Sequence, residues 1–464
     1  MNTWALRLRA GRWLLLCAAV AAQLGLSGCT GFSKDGGFGS VAAATHNRLD
    51  KNVYWPRSAA EAAKSAAEVT QRLSHPLDVD DAVQVALLNN RALRAAFQDL
   101  QISEADLVQS GRLPNPRFDF AHASADGQFD IVETLSFNVL SLLTLPYVHE
   151  IEKQRFAATQ SAVLLGVAQL AAASRDAYFE AVAARQSLQY RLKVSAAAET
   201  GALLARRMLA AGNWNSVDQA REQVFYADAT RDLTRAQVAD AAAREKLLRL
   251  MGMSGDTDSS GSVQLAPTLP DLPSRLEELP DVERTVLQNR IDLQLMHQNL
   301  DALARRLKLT RATRFVNVLD LGPSWVKQGP RDAPYEHGYA VTLEVPIFDG
   351  GAARLKTSEA LYAQAVDRFA QAAVDARSQV RQAYAAYRAS FELARQQRDV
   401  VVPLRKSVAE QNLLRYNASQ LSIFELLADT REQIASVDDY IASLRDFWLA
   451  KSQLDAALLG NPTP

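Results

Sequence analysis

Cysteine is nearly absent: the 464-residue chain has two, Cys17 and Cys29, and none beyond position 29. That excludes a disulfide scaffold and any CxxC redox or metal motif. The six histidines, among them His46, His122, His149 and His337, include no pair at metal-ligand spacing on one helix, so no metal site is expected. Catalytic signatures are missing as well. No phosphate-cradling glycine loop, HExxH or nucleophile elbow occurs, and the acids are scattered over helical faces, so neither an enzyme nor a cofactor is expected. Charge of one sign is also lacking. The formal net charge is −1, and about −4 without Arg7, Arg9 and Arg12. No basic face offers itself to nucleic acid. Past the leader no run reads as long and apolar enough for a transmembrane helix, so a membrane crossing would have to use strands.

What is present begins with that leader. Arg7, Arg9 and Arg12 precede an apolar stretch, Trp13–Leu26, that is shorter than the roughly 20 residues of a membrane span. Leu26-Ser27-Gly28-Cys29 follows and resembles a bacterial lipobox. The resemblance implies a lipoprotein signal peptide over 1–28, cleavage before Cys29, and diacylglycerol on its thiol with acyl chains of the palmitate type. Thr30 in the next position is compatible with outer-membrane delivery.

Residues 29–72 read as an N-terminal tether, irregular from Thr30 to Trp55, with a short helix over Ala59–Leu73. A helical pattern runs from Asp78 to about Gln109 and is stopped by Leu113-Pro114-Asn115-Pro116. Two strand-like runs follow, Phe118–Ala123 and Ile131–Leu140, on either side of Asp126-Gly127. After Pro146 a long helix is predicted to about Ala211. Its narrow seam of Val163, Val167, Leu170, Ser174, Ala177, Ala181 and Ala184 is coiled-coil-like. The chain reverses at Gly212–Ser216, and the returning helix ends near Leu250-Met251-Gly252. Residues 254–276, rich in Ser, Gly, Asp and Pro, read as a linker.

Then the plan repeats. A shift of 200 aligns Leu87 with Leu287, Asn89 with Asn289, Leu93 with Leu293 and Pro146 with Pro346. Further on, Arg221-Glu222-Gln223 aligns with Arg431-Glu432-Gln433. Residues 73–253 and 277–460 are thus two structural repeats, before a tail of 461–464. The second strand pair alternates cleanly through Leu319, Leu321 and Trp325, then Tyr339, Val341, Leu343 and Val345. A second long helix is predicted over Ala352–Asn417, bent at Pro403. The fold class is mainly α with a small β part.

Four strands cannot close a membrane barrel. Either they form a soluble cap on a periplasmic coiled coil, or several chains pool their strands. Trp325, Tyr335 and Tyr339, placed to form aromatic girdles, favour pooling.

Several motifs carry a family resemblance over most of the mature chain. Leu113-Pro114-Asn115-Pro116, the run Val345-Pro346-Ile347-Phe348-Asp349-Gly350-Gly351, and Leu413-Leu414-Arg415-Tyr416-Asn417-Ala418 resemble those of TolC-like outer-membrane efflux proteins. The resemblance implies a homotrimer in which four strands per chain complete a 12-stranded β-barrel and the helical hairpins form a periplasmic tunnel. It further implies passive conduction of exported small molecules or ions, outer-membrane lipid around the barrel, and two protein partners. These are a periplasmic adaptor (membrane fusion) protein and an inner-membrane exporter of the resistance-nodulation-division type. Pro146, Pro346, Asp349, Gly350 and Gly351 would shape the strand-to-helix junctions. The first junction lacks the Asp-Gly-Gly ending, and Ser419 stands where the family has glycine.

Candidate adaptor-docking residues are the two reversals: Ala211, Gly212, Asn213, Trp214 and Ser216, then Ala418, Ser419, Gln420, Leu421 and Ser422. Asp218, Glu425 and Asp429, just behind them, are candidates for a cation-biased pore entrance. Two other readings stay open. A structural coiled-coil lipoprotein without a channel shares the helical pattern. A periplasmic adaptor would show a single hairpin, which two full repeats argue against.

Overall fold

The computed structural model describes residues 31–125, 128–253, 263–278, 287–330 and 332–460. The leader, the lipidation candidate Cys29, Asp126-Gly127, the start of the linker and the tail lie outside the described residues.

The first repeat contributes, after two N-terminal helices α1 (Phe38–Leu49) and α2 (Ala59–Arg72), helices α3 (Val79–Asn89) and α4 (Arg91–Ser110). Strands β1 (Arg117–Ala125) and β2 (Gln128–Asn138) follow, then α5 (Val139–Ala210) and α6 (Ser216–Leu250). The second repeat has α7 (Ile291–Ala312), β3 (Val318–Gly329), β4 (Glu336–Glu344) and α8 (Ala352–Gln396). A π-helical turn (Gln397–Val401) leads to α9 (Val402–Asn417), and α10 (Ile423–Leu459) returns.

The chain divides into two compact units, one from residues 1–40, 98–162 and 293–372, the other from 41–97, 163–292 and 373–464. Each unit takes sequence from both repeats.

The first unit holds a four-stranded antiparallel sheet in the order β1-β2-β3-β4. Its central pairing, β2 with β3, joins the two repeats, with Phe137 opposite Leu321 and Glu133 opposite Trp325. Gly322 is required there: a Cβ would stand 1.7 Å from the Leu135 carbonyl oxygen.

Helix α5 begins at Val139, not after Pro146 as the sequence suggested. The Asn138 side chain accepts the Ser141 amide at 2.6 Å and caps the helix directly at the end of β2. Pro146 therefore lies inside the helix, where it removes one backbone hydrogen bond, and is not the strand-to-helix junction. A second correction concerns apolar length. Helix α5 contains an 18-residue stretch that is long and apolar enough to cross a membrane. Val167, Ala168, Ala171, Ala177 and Val182 on this helix are buried, while 33% of the apolar stretch as a whole is buried.

The second unit has the main core. Leu77 and Val85, Tyr178 and Phe179 of α5, Leu247 and Met251 near the end of α6, Tyr387 and Phe391 of α8, and Phe447 and Leu454 of α10 converge. Tyr387 stacks on Phe447 at 5.6 Å, and Phe179 on Trp448 at 5.4 Å. Each such buried side chain contributes roughly 1.5–3 kcal/mol. Tyr178 donates to the Leu77 carbonyl at 2.9 Å, and burial pushes its phenol up to about 12.

Residues 263–276 of the expected linker are stitched to this core. Val263, Leu269 and Leu272 are buried. The Leu77 amide donates to Gln264 and the Trp448 indole to Pro270. The N-terminal stretch is likewise no irregular tether. Helix α1 buries Val41 and Thr45, and Val53 and Trp55 beyond it are buried too. Ala42, Ala43 and Ala44 favour a helix, and Asp35 accepts the Gly37 and Gly39 amides at its start.

The helix predicted over residues 78–109 is broken at Asn90, whose ψ of 122° is extended. Asn90 donates from its side chain to the Leu250 carbonyl at the end of α6. In the second repeat Arg290 fills the same place and donates to the Ala457 carbonyl at the end of α10. A turn-breaking residue that ties down the returning helix is thus duplicated with the repeat.

Candidate functional site

Strand alternation and register together sort the sheet into two faces. Phe118, Leu135, Phe137, Leu319, Leu321, Trp325, Tyr339, Val341 and Leu343 fall on one face, which also carries Glu133, Lys327 and His337 toward the hairpin ends. Asp119, Thr134, Asn138, Asp320, Ser324 and Thr342 fall on the other. The polar face is cross-linked: Asn138 donates to Asp320 at 2.8 Å, and Thr134 and Ser324 hydroxyls meet at 3.2 Å. The apolar face is bare. Phe118 is 61% exposed, Tyr339 81% and Leu343 55%. In the single chain, β1 and β4 are edge strands, each pairing on one side only. A soluble cap would hide such a face and protect such edges.

Between β4 and α8 the chain makes a tight glycine turn. Gly350 and Gly351 take φ of 56° and 68°, a region that favours glycine. The Pro346 carbonyl accepts the Gly350 amide at 2.8 Å, and Asp349 accepts the Gly351 amide at 2.9 Å. A Cβ on Gly351 would lie 2.3 Å from the Arg314 carbonyl oxygen, so the turn after β4 packs directly on the turn before β3.

The two reversals in the second unit are built alike. At the first, the Gly212 amide reaches the Leu209 carbonyl and the Asn213 amide the Met208 carbonyl. At the second, the Ser419 amide reaches Tyr416 and the Gln420 amide Arg415. Both are Schellman turns. Asn215 then caps α6 by accepting the Asp218 amide, and Ser422 caps α10 in a capping box with Glu425. Ala211, Gly212, Asn213 and Ser216 are exposed, as are Ala418, Ser419 and Gln420; Trp214 and Leu421 are partly covered.

The three acids behind the reversals have local partners. Asp218 accepts from the Asn215 side chain at 2.6 Å and from Arg221. Glu425 accepts the Ser422 amide, and that bond holds its carboxyl below the usual range. Asp429 accepts from Asn412 across the α9–α10 hairpin.

Sequence reasoning missed the side chains that tie one hairpin to the other within this unit. Glu222 of α6, nearly fully buried, receives Arg431 of α10 at 2.6 Å, and that guanidinium lies 4.4 Å over the Phe225 ring. Arg191 of α5 is 2.6 Å from Asp438 and 3.4 Å from Asp232. Burial raises the Asp438 carboxyl despite Arg191. The available signal was the repeated Arg-Glu-Gln triplet, which marked the place but not the pairing.

Among the described residues no group of three or more His, Cys, Asp and Glu side chains converges as a metal site would. No family model matches the chain. Solved structures do. The chain superposes on CusC, described in terms of transmembrane channel formation, with a TM-score of 0.67 at 20% identity, over 82% of this chain and 92% of that one. It superposes on the CmeC outer membrane channel of Campylobacter jejuni with a TM-score of 0.69 at 15% identity, over 82% and 85%. A membrane protein from Pseudomonas aeruginosa gives 0.70 at 19%, over 84% and 92%.

The fold is that of the TolC-like outer-membrane channels. Two of these neighbours, CusC and CmeC, are described in terms of channels. In sequence, the chain is 23% identical to the cobalt-zinc-cadmium resistance protein CzcC of Cupriavidus metallidurans. That match spans 59% of this chain and 64% of CzcC, so the chain covers less than two thirds of that relative's length.

Proposed function

We propose that this chain is the outer-membrane channel component of a tripartite efflux system and conducts exported solutes passively. The observation that carries this reading is the sheet, apolar and bare on one face and hydrogen-bonded and polar on the other. With two unpaired edges it is completed by other copies. Three chains of four strands give a 12-stranded wall whose apolar face meets lipid and whose polar face lines the lumen. Exposed Val400, Leu404 and Val408, spaced by four along the second hairpin, supply further surface for association between chains.

In this reading Cys29 carries the lipid that anchors the chain at the outer membrane, and 29–72 joins it to the first repeat. The two Schellman turns dock the adaptor, which links the channel to an inner-membrane exporter of the resistance-nodulation-division type. Asp218, Glu425 and Asp429 bias the pore entrance toward cations. Asp320 on the polar face adds a carboxylate to the wall, which with the likeness to CzcC favours metal cations as cargo.

The test is purification from membranes followed by reconstitution in a planar bilayer. A trimer with steady conductance is expected, and Cys29→Ala should lose radiolabelled lipid. A monomer that never conducts would leave a structural coiled-coil lipoprotein in its place. Tagged pull-down from solubilised envelope should recover the adaptor and exporter.

A further inference from the structure

At the junction of β4 with α8, two guanidiniums are held by backbone and not by carboxylates. Arg314 donates from Nε to the Gly350 carbonyl at 2.8 Å, with its guanidinium 5.0 Å over the Phe315 ring. Arg354 donates to the Thr313 carbonyl at 2.6 Å and to the Arg314 carbonyl at 3.4 Å. Neither forms an ion pair among the described residues. The nearby acids are turned to their own surroundings: Asp349 accepts the Gly351 amide, and Glu344 accepts from the Asn317 side chain. Two positive charges therefore stand uncompensated on one small, rigid platform.

Around them the surface is apolar. The alternation of β4, Tyr339, Val341 and Leu343, reaches Val345, and the chain then turns, with the Ile347 amide donating to the Val345 carbonyl at 2.8 Å. Ile347 is 76% exposed, Phe348 fully exposed and Phe315 62%. Fixed cations beside bare apolar side chains match the two halves of one ligand: an anionic phosphate and the chains attached to it.

We propose that this junction seats the headgroup of an anionic phospholipid of the inner leaflet, with Arg314 and Arg354 on the phosphate and Ile347 and Phe348 among the acyl chains. The proposal rests on the channel reading, because it places the junction at the membrane surface. The glycines serve it too, since the backbone carbonyl of Gly350 and the close approach of Gly351 are what hold Arg314 in place.

The full chain is reconstituted in nanodiscs of phosphatidylcholine alone or mixed with phosphatidylglycerol, and the lipid retained after stringent washing is measured by mass spectrometry. Phosphatidylglycerol should be enriched over its bilayer share. Arg354→Gln should reduce that enrichment about fivefold, the effect of one basic residue at an anionic surface. Arg354→Lys should keep most of it. Phe348→Ser, at a side chain that touches nothing in the chain, should also reduce it without affecting folding. Retention at the bilayer share, or retention untouched by Arg354→Gln, would overturn the proposal. So would full displacement by inorganic phosphate, which would indicate a free-anion site. Cross-linking between subunits through Phe348→Cys would equally overturn it, by showing a second copy on this face. Insertion into both discs without preference sinks this proposal alone, whereas failure to insert in either sinks the channel reading.

Discussion

Gly212 and Ser419 occupy the same position in two Schellman turns, and only the first is glycine. Their φ angles are 75° and 58°, and the amide bonds on either side match one for one. Ser419 therefore holds a left-handed conformation that costs an L-residue about 1–2 kcal/mol relative to glycine.

Replacing Ser419 by Gly should stabilise the second reversal by about 1 kcal/mol, and Gly212→Ala should destabilise the first by a similar amount. Hydrogen exchange of the amides at 418–422 and 211–215 would report each change locally. Equal protection in Ser419→Gly and the parent would show that the strain is relieved elsewhere.

The capping box at Ser422 should respond to acid. Glu425 is held below its ordinary value of 4.5 chiefly by the Ser422 amide. Its contribution is therefore present above pH 4.5 and fades as pH falls through the lower folded value. Amide protection at the start of α10 should drop in that acid window, and Glu425→Gln, which retains the box without titrating, should remove the pH dependence.

Gly322→Ala should break the central strand pairing. The added Cβ meets the Leu135 carbonyl oxygen at 1.7 Å, so β2 or β3 must shift, and both are needed for one wall. We expect loss of the proposed trimer on native gels, while the helical circular-dichroism signal persists. A normal trimer would mean that the strands move apart freely.

Removing Arg431 should cost more than removing its partner. Arg431→Met leaves Glu222 buried without a cation, a loss of about 3 kcal/mol. Glu222→Gln keeps a hydrogen-bonding group and should cost less. A double-mutant cycle by thermal unfolding would give a coupling energy on the order of 1–3 kcal/mol; zero coupling would make the pair incidental.

The elements that were legible were those written in periodicity or in proline and glycine. The alternation at Leu319–Trp325 and Tyr339–Val345 marked β3 and β4, and Asp349-Gly350-Gly351 lies in the turn between β4 and α8. The bend expected at Pro403 appears one turn earlier, as the π-helical stretch Gln397–Val401, because the ring leaves no amide to bond the Asp399 carbonyl. Pro146 misled. A helix can absorb proline near its start when a side chain such as Asn138 caps it first. Helix α1 was missed because a Gly- and Ser-rich flank hides one buried valine, whose burial only tertiary packing reveals. Glu222 could not be told from any other acid on a helix until its neighbour in space was known.

The seam between β2 and β3 has a consequence for how the molecule is made. Asn138 and Asp320, hydrogen-bonded across it, are 182 residues apart. A chain made from its N-terminus completes β1 and β2 long before β3 exists to receive them. Their hairpin must wait, amphipathic and unpaired, while the intervening helices emerge. Non-local pairing of this kind is slow and exposed to aggregation. The sheet can therefore close only after α5, α6 and α7 have emerged, and the main core, which needs Tyr387 and Phe447 from beyond β4, closes later still.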